Sequence, residues 1–243
     1  MIKLFWNTHN LKKTITDDKD IKKKEAVEFK WGLYHKKHSD VWIYEILKKI
    51  KYNIIDSEKN LEKGDSLIIV DSNPEKKIEL YNKLKLVCSK TLLFHLGDES
   101  GAYDLSQVYK NFNYIWRTFC SNKYFKNSQI KCIPIGYKSG LVNKRKDKRK
   151  YKWSFTGTPH KSSRHDLLFQ FSDIKPFFCH KTEKFDEKII SVDEMSEVLS
   201  STEFIPCPNG FFHPETYRLY EALECGCVPI VENAYKYYDR LFP

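Results

Sequence analysis

Residues Phe204 to Val231, reading FIPCPNGFFHPETYRLYEALECGCVPIV, restrict the fold more tightly than any other stretch of the chain. Their spacing predicts a short strand, a loop, a helix and a second strand. Phe204-Ile205 is apolar and runs into Pro206-Cys207-Pro208-Asn209-Gly210, where prolines remove the amide donors a ladder needs, so the strand is expected to stop there. Pro214 suits the first position of a helix, which has no use for an amide donor. The helix should then run to about Cys225, with Gly226 left-handed just past its end. Cys227 to Val231 has the compact apolar character of a buried strand. A loop that feeds a helix N-terminus gathers free amides and the positive end of the helix dipole, and both favour a phosphate.

On the predicted helix Leu219, Ala222 and Leu223 share one face, while Arg218 and Glu221 fall on another. Glu215, Arg218 and Glu221 have the spacing of ladder ion pairs, and a solvated charged face is one reading of them. The sharper reading gives Arg218 to a diphosphate and Glu221 to ribose hydroxyls. A guanidinium matches phosphate oxygens in pairs, and a carboxylate matches a vicinal diol. Asn209-Gly210 would let phosphates approach the backbone closely.

Upstream, strands and helices alternate. Predicted strands are 2–6, 66–70, 91–96, 114–119 and 130–137, with helices over 41–50, 75–86 and 104–110; residues 11–39 read as a surface loop. This alternation predicts a largely parallel sheet. Gly97-Asp98-Glu99 follows a strand's carboxyl end, where open α/β sheets place ligands. Asp98 and Glu99 are therefore candidate bases, with His95 behind them. The plainer alternatives are a packed strand histidine for His95 and a self-capping turn for Asp98. Asn143 to Lys150 is a basic run broken only by Asp147, read as a solvated linker and as the domain boundary. Two domains are expected, 1–142 and 151–243. The second would open on the strand Trp153 to Thr158 and a helix containing Arg164, then a strand at Phe177 to His180 and a helix from Val192.

The pattern Cys-Pro-x-Gly, then Arg-x-x-Glu-Ala-Leu, then Gly-Cys-Val-Pro-Ile-Val resembles the donor motif of exostosin-like, glycosyltransferase family 47-type enzymes, a group related to ribitol xylosyltransferases. The matching positions include Cys207, Pro208, Gly210, Glu215, Arg218, Glu221 and Gly226. The resemblance implies an α/β chain of the GT-B kind, two Rossmann-like lobes with a cleft between Gly97-Asp98-Glu99 and the Pro214 helix. It implies that the first lobe handles the acceptor and the second binds a nucleotide sugar, a UDP sugar being the expected donor. It also implies transfer to a glycan or other hydroxyl acceptor with inversion, and without a metal or other cofactor. Thr156, Gly157 and Arg164 join Pro208, Asn209, Gly210, Glu215, Arg218 and Glu221 as donor-binding candidates. Enzymes of this type usually continue past the last strand found here, so the C-terminal lobe is expected to be either minimal or truncated.

Two other classes compete. One is a non-catalytic nucleotide-sugar or glycan-binding module; the other is a basic nucleic-acid-binding protein, invited by a net charge of +10. Lysine is spread over nearly every segment and not gathered with readout residues, which argues against a nucleic-acid partner. Seven cysteines include no pair with zinc-like spacing backed by a second pair, so reduced, metal-free thiols are expected. The polar N-terminus is no signal peptide and no run is long enough to span a membrane. A cytoplasmic enzyme is the expectation.

Overall fold

The computed structural model describes residues 1–6, 40–55, 57–137, 140–144, 146–183, 190–233 and 236–243. The loop expected over 11–39 therefore lies outside the described residues. The chain divides into two compact units that part between Pro134 and Ile135.

Unit 1 alternates as the sequence predicts. Its elements are β1 (Ile2–Trp6), α1 (Asp40–Leu47), β2 (Asn53–Ile55), β3 (Ser66–Asp71), α2 (Ile78–Val87), β4 (Lys90–His95), α3 (Ser106–Tyr109), β5 (Tyr114–Arg117), α4 (Asn122–Phe125) and β6 (Ile130–Cys132). Six parallel strands lie in the order β2-β1-β3-β4-β5-β6. β3 is buried from Leu67 to Asp71 because both faces of the sheet are covered. Leu67 and Ile69 face Tyr81, Leu84 and Val108, while Ile68 and Val70 face Ile43 and Leu47.

Unit 2 holds β7 (Tyr151–Gly157), α5 (Arg164–Phe171), β8 (Phe177–Lys181), α6 (Val192–Ser200), β9 (Thr202–Cys207), α7 (Tyr217–Glu224), β10 (Val228–Val231) and α8 (Tyr237–Leu241). Its four strands are parallel, in the order β10-β9-β7-β8. Each unit is thus a Rossmann-like α/β layer. α6 starts on a capping box, in which Ser191 and Glu194 satisfy each other's free amides. α7 ends on the left-handed Gly226 (φ 71°), and the amides of Gly226 and Cys227 close on Leu223 and Ala222. That is the glycine stop expected at this position. Among the described residues no helix is long and apolar enough to cross a membrane.

Four expectations are corrected. Pro206 does not end its strand: β9 runs to Cys207, with Pro206 opposite Ile230. The ladder to β7 pairs Thr202 and Phe204, so past Phe204 the strand keeps β10 as its neighbour and the missing donor is tolerated as at an edge. Pro214 does not start the helix; α7 begins at Tyr217 behind Thr216. The basic run is solvated, as expected, but it is not a free linker: it lies along the surface of unit 2, downstream of the division between the units. Lys144 and Lys146 pair with Asp193 and Glu197 of α6, and Arg149 donates to Thr202 O and Gly226 O.

The fourth correction concerns the thiols. Cys120 and Cys132 form a disulfide. Cys120 lies three residues past Arg117, and Arg117 is the register partner of Cys132 on β6, so the two sulfurs meet across adjacent strand ends. Cysteine spacing alone does not reveal this pair. Disulfides persist in oxidising compartments, so reduced thiols no longer argue for a cytoplasmic location. Reduction, or Cys132→Ser, should destabilise unit 1 by about 3 kcal/mol through regained chain entropy. Urea unfolding with and without a thiol reductant measures this; equal midpoints would show that the bridge contributes nothing.

Candidate functional site

In unit 2 the chain leaves β7 toward β8 on one side, and β9 leads to β10 on the other. Between β7 and β9 lies a topological switch point, where the loops after the strands diverge and leave a crevice at the carboxyl ends. The loop after β7, Thr158 to Ser163, and the loop after β9, Pro208 to Thr216, border that crevice. They are tied together: Ser162 Oγ donates to Asn209 O at 2.9 Å. Asn209 Nδ2 donates to Glu232 at 2.8 Å, and the Ser163 hydroxyl donates to the same carboxylate. Ser162, Ser163 and Glu232 were not singled out in the sequence. Their role depends on β10 ending beside both loops, which no local pattern encodes.

Two guanidinium groups converge on the turn at the end of β7. Arg218, from α7, donates through Nη2 to Thr156 O at 2.8 Å and lies over the Phe155 ring, 4.4 Å from its centroid. Arg164, from α5, donates through Nη1 to Thr158 O at 3.0 Å. Gly157 lies between those two carbonyls with φ 135°, and a Cβ there would come within 3.0 Å of Arg218 Nη2. Only glycine accepts both the backbone angle and the close approach. Arg164 Nε is buried and has no hydrogen-bond partner among the described residues.

Burial lowers the pKa of both groups, since removing water penalises the charged form. Arg164 falls to about 10, with the charge of Arg218 adding to the effect of burial. Arg218 is lowered by burial and supported by the negative charge of Glu221 and by Cys207. A guanidinium is in general protonated at neutral pH. Holding two such charges together in a partly dry crevice is costly unless an anion joins them, and a diphosphate is the simplest anion that spans two guanidinium groups.

Of the predicted donor-binding residues, Thr156, Gly157, Arg164 and Arg218 meet at the end of β7, and Asn209 is tied to the loop after β7 through Ser162; Gly210 follows Asn209 in the loop after β9, and Pro208 is buried. Glu221 lies one helical turn past Arg218 and is half-buried. Glu215 is placed apart. Its side chain is buried, accepting from Ile135 N at 2.9 Å, from Tyr237 OH at 2.8 Å and from the Tyr220 hydroxyl. These bonds replace the first-turn position expected for it.

The unit 1 candidates belong to a different arrangement. His95 Nδ1 meets Tyr109 OH at 2.7 Å, and Arg117 Nη1 donates to the same hydroxyl at 2.9 Å. The Arg117 Nη2 atom is 3.4 Å from Asp98 Oδ2, and both of these side chains are almost fully buried. Glu99 is half-exposed. Arg117 was read only as part of a strand, yet its guanidinium organises this network inside unit 1.

Residues 137–238 match the family model described as the RXYLT1 C-terminal domain. The match supports a relation to the ribitol xylosyltransferase family. It spans the docked basic run, both crevice loops, α7 and β10. No curated protein and no solved structure gives a significant match to the chain.

Proposed function

We propose that the protein is an exostosin-like glycosyltransferase of the GT-B kind, with unit 2 binding the diphosphate of a nucleotide sugar. The observation that carries this reading is the convergence of Arg164 and Arg218, from two helices, on the Gly157 turn at the switch point. The relation to the ribitol xylosyltransferase family supports it independently.

In the proposed reaction an acceptor hydroxyl oxygen attacks the anomeric carbon and the bond from that carbon to the phosphate oxygen breaks. Negative charge then grows on the departing nucleoside diphosphate. Arg164 and Arg218 meet that charge with fixed donors in a partly dry site, where electrostatic stabilisation is strongest. This chemistry needs no metal, and attack opposite the leaving group inverts the anomeric carbon. Glu221 takes the ribose hydroxyls. The base proposed for the acceptor hydroxyl is Glu99, just past the carboxyl end of β4, with Asp98 and His95 beside it. The donor is proposed to be a UDP sugar and the acceptor a glycan.

Calorimetric titration with UDP, GDP and pyrophosphate, followed by turnover of a UDP-sugar panel, tests the reading. Saturable UDP binding and release of UDP from one donor are expected. Glu99→Gln should slow transfer at least about a hundredfold and leave UDP affinity unchanged, as for loss of a general base. Binding to DNA that weakens steeply with salt, without nucleotide binding, would retire the proposal in favour of a polyanion-binding protein.

A further inference from the structure

The loop after β9 is fastened at both ends and left open in the middle. On its upstream side Asn209 is held by Ser162 and Glu232. Downstream, Tyr238 OH donates to Pro214 O at 3.0 Å, and Tyr237 packs edge-on against the His213 ring at 4.7 Å. Between these anchors Phe211 and Phe212 are 63% and 64% exposed, their rings in edge contact at 4.6 Å. Neither Phe contributes to the packed core, although burial would be the default for two adjacent aromatic side chains. An exposed apolar patch with a polar rim marks a contact surface. Lys161, from the loop after β7, lies 5.9 Å from the Phe211 centroid, so the pair borders the same crevice as the two arginines.

We propose that Phe211 and Phe212 form a platform for the sugar ring of a nucleotide sugar. This rests on the donor-site reading above. A nucleotide sugar is linear: nucleoside, diphosphate, sugar. With the diphosphate on Arg164 and Arg218 and the ribose on Glu221, one turn further along α7, the nucleoside runs toward the helix. The sugar then falls on the opposite side of the arginines, toward the loop that precedes α7. A pyranose has a flat face of C–H bonds carrying partial positive charge, and that face complements the negative face of an aromatic ring. The braced flanks fix the platform before the ligand arrives, which limits the entropy lost on binding.

The test compares the full-length wild type with Phe211→Ala/Phe212→Ala and Phe211→Leu/Phe212→Leu, titrated with UDP, UDP-xylose and UDP-glucose. The leucine pair keeps apolar bulk and removes the flat face, which guards against a folding defect in the alanine pair. For any UDP sugar the wild type binds, both variants should lose about tenfold in affinity, the scale of one stacking contact. Their affinity for UDP should stay within about twofold, since the arginines are untouched. Equal losses for UDP and the UDP sugars would assign the rings to the nucleobase and overturn the proposal. So would unchanged affinities, or a change confined to self-association in sedimentation. A wild type that binds neither UDP nor GDP would instead overturn the donor-site reading itself.

Discussion

Arg218→Ala should weaken UDP binding roughly ten- to a hundredfold, the equivalent of about 1.5–3 kcal/mol for a charge-assisted contact. The side chain is held by Thr156 O and the Phe155 face before any ligand is present, so little ordering cost is left to the binding step. Removing it also relieves Arg164 of a neighbouring like charge, and the fold of unit 2 should therefore survive. Glu221→Ala should weaken UDP and leave pyrophosphate alone, because its proposed partner is the ribose. Calorimetry on both variants, with thermal unfolding as a control, separates this from the plainer alternative. If Arg218 and Glu221 only brace their own helix, both variants will melt earlier and bind UDP as the wild type does.

Glu215→Ala should destabilise unit 2 by about 3 kcal/mol or more, since Ile135 N–H and the hydroxyls of Tyr220 and Tyr237 lose their buried acceptor together. Glu215 also gives stability a pH dependence. Burial raises its pKa from an ordinary 4.5 to about 7, against the opposing pull of its three hydrogen bonds. The folded state therefore holds the proton more tightly than the unfolded state. The carboxyl's stabilising contribution is complete below about pH 4.5 and is lost as pH rises through about 7. The total change is on the order of 3 kcal/mol. Denaturant unfolding at pH 5 and pH 8 should show it in the wild type. Glu215→Gln, which carries no titrating proton, should flatten the slope. An identical slope in the variant would move the effect to another group.

These two residues sit three apart in one motif, and local spacing reads them differently. The placement of Arg218 at the strand end was legible from local spacing: a strand end, a glycine-bearing loop, then a helix carrying an arginine and a glutamate one turn apart. Glu215 belongs to the same motif, and a carboxylate just ahead of a helix is a familiar local pattern. Two of its three partners, Ile135 and Tyr237 of α8, lie far from it along the chain, and three buried hydrogen bonds outweigh the few tenths of a kcal/mol that a helix dipole offers an exposed carboxylate.

The same division runs through the rest of the molecule. Alternating apolar runs and amphipathic segments depend on period alone, so β3, β4, α2, α6 and the glycine stop after α7 could be read from the chain. So could the parallel α/β character of both units, because a helix between successive strands forces a parallel return. Pro206 inside β9, the docking of Lys144, Lys146 and Arg149, and the Cys120–Cys132 bridge could not. Each depends on which strand or helix comes to lie beside the residue, and neighbours across a parallel sheet are set by long crossover connections. The proposed anion site is divided in the same way. Arg218 and Gly210 stand in a readable motif, whereas the meeting of Arg164 with Arg218 across Gly157 exists because β7 and β9 are adjacent in the sheet. Local spacing nominated the residues; strand order decided which of them meet.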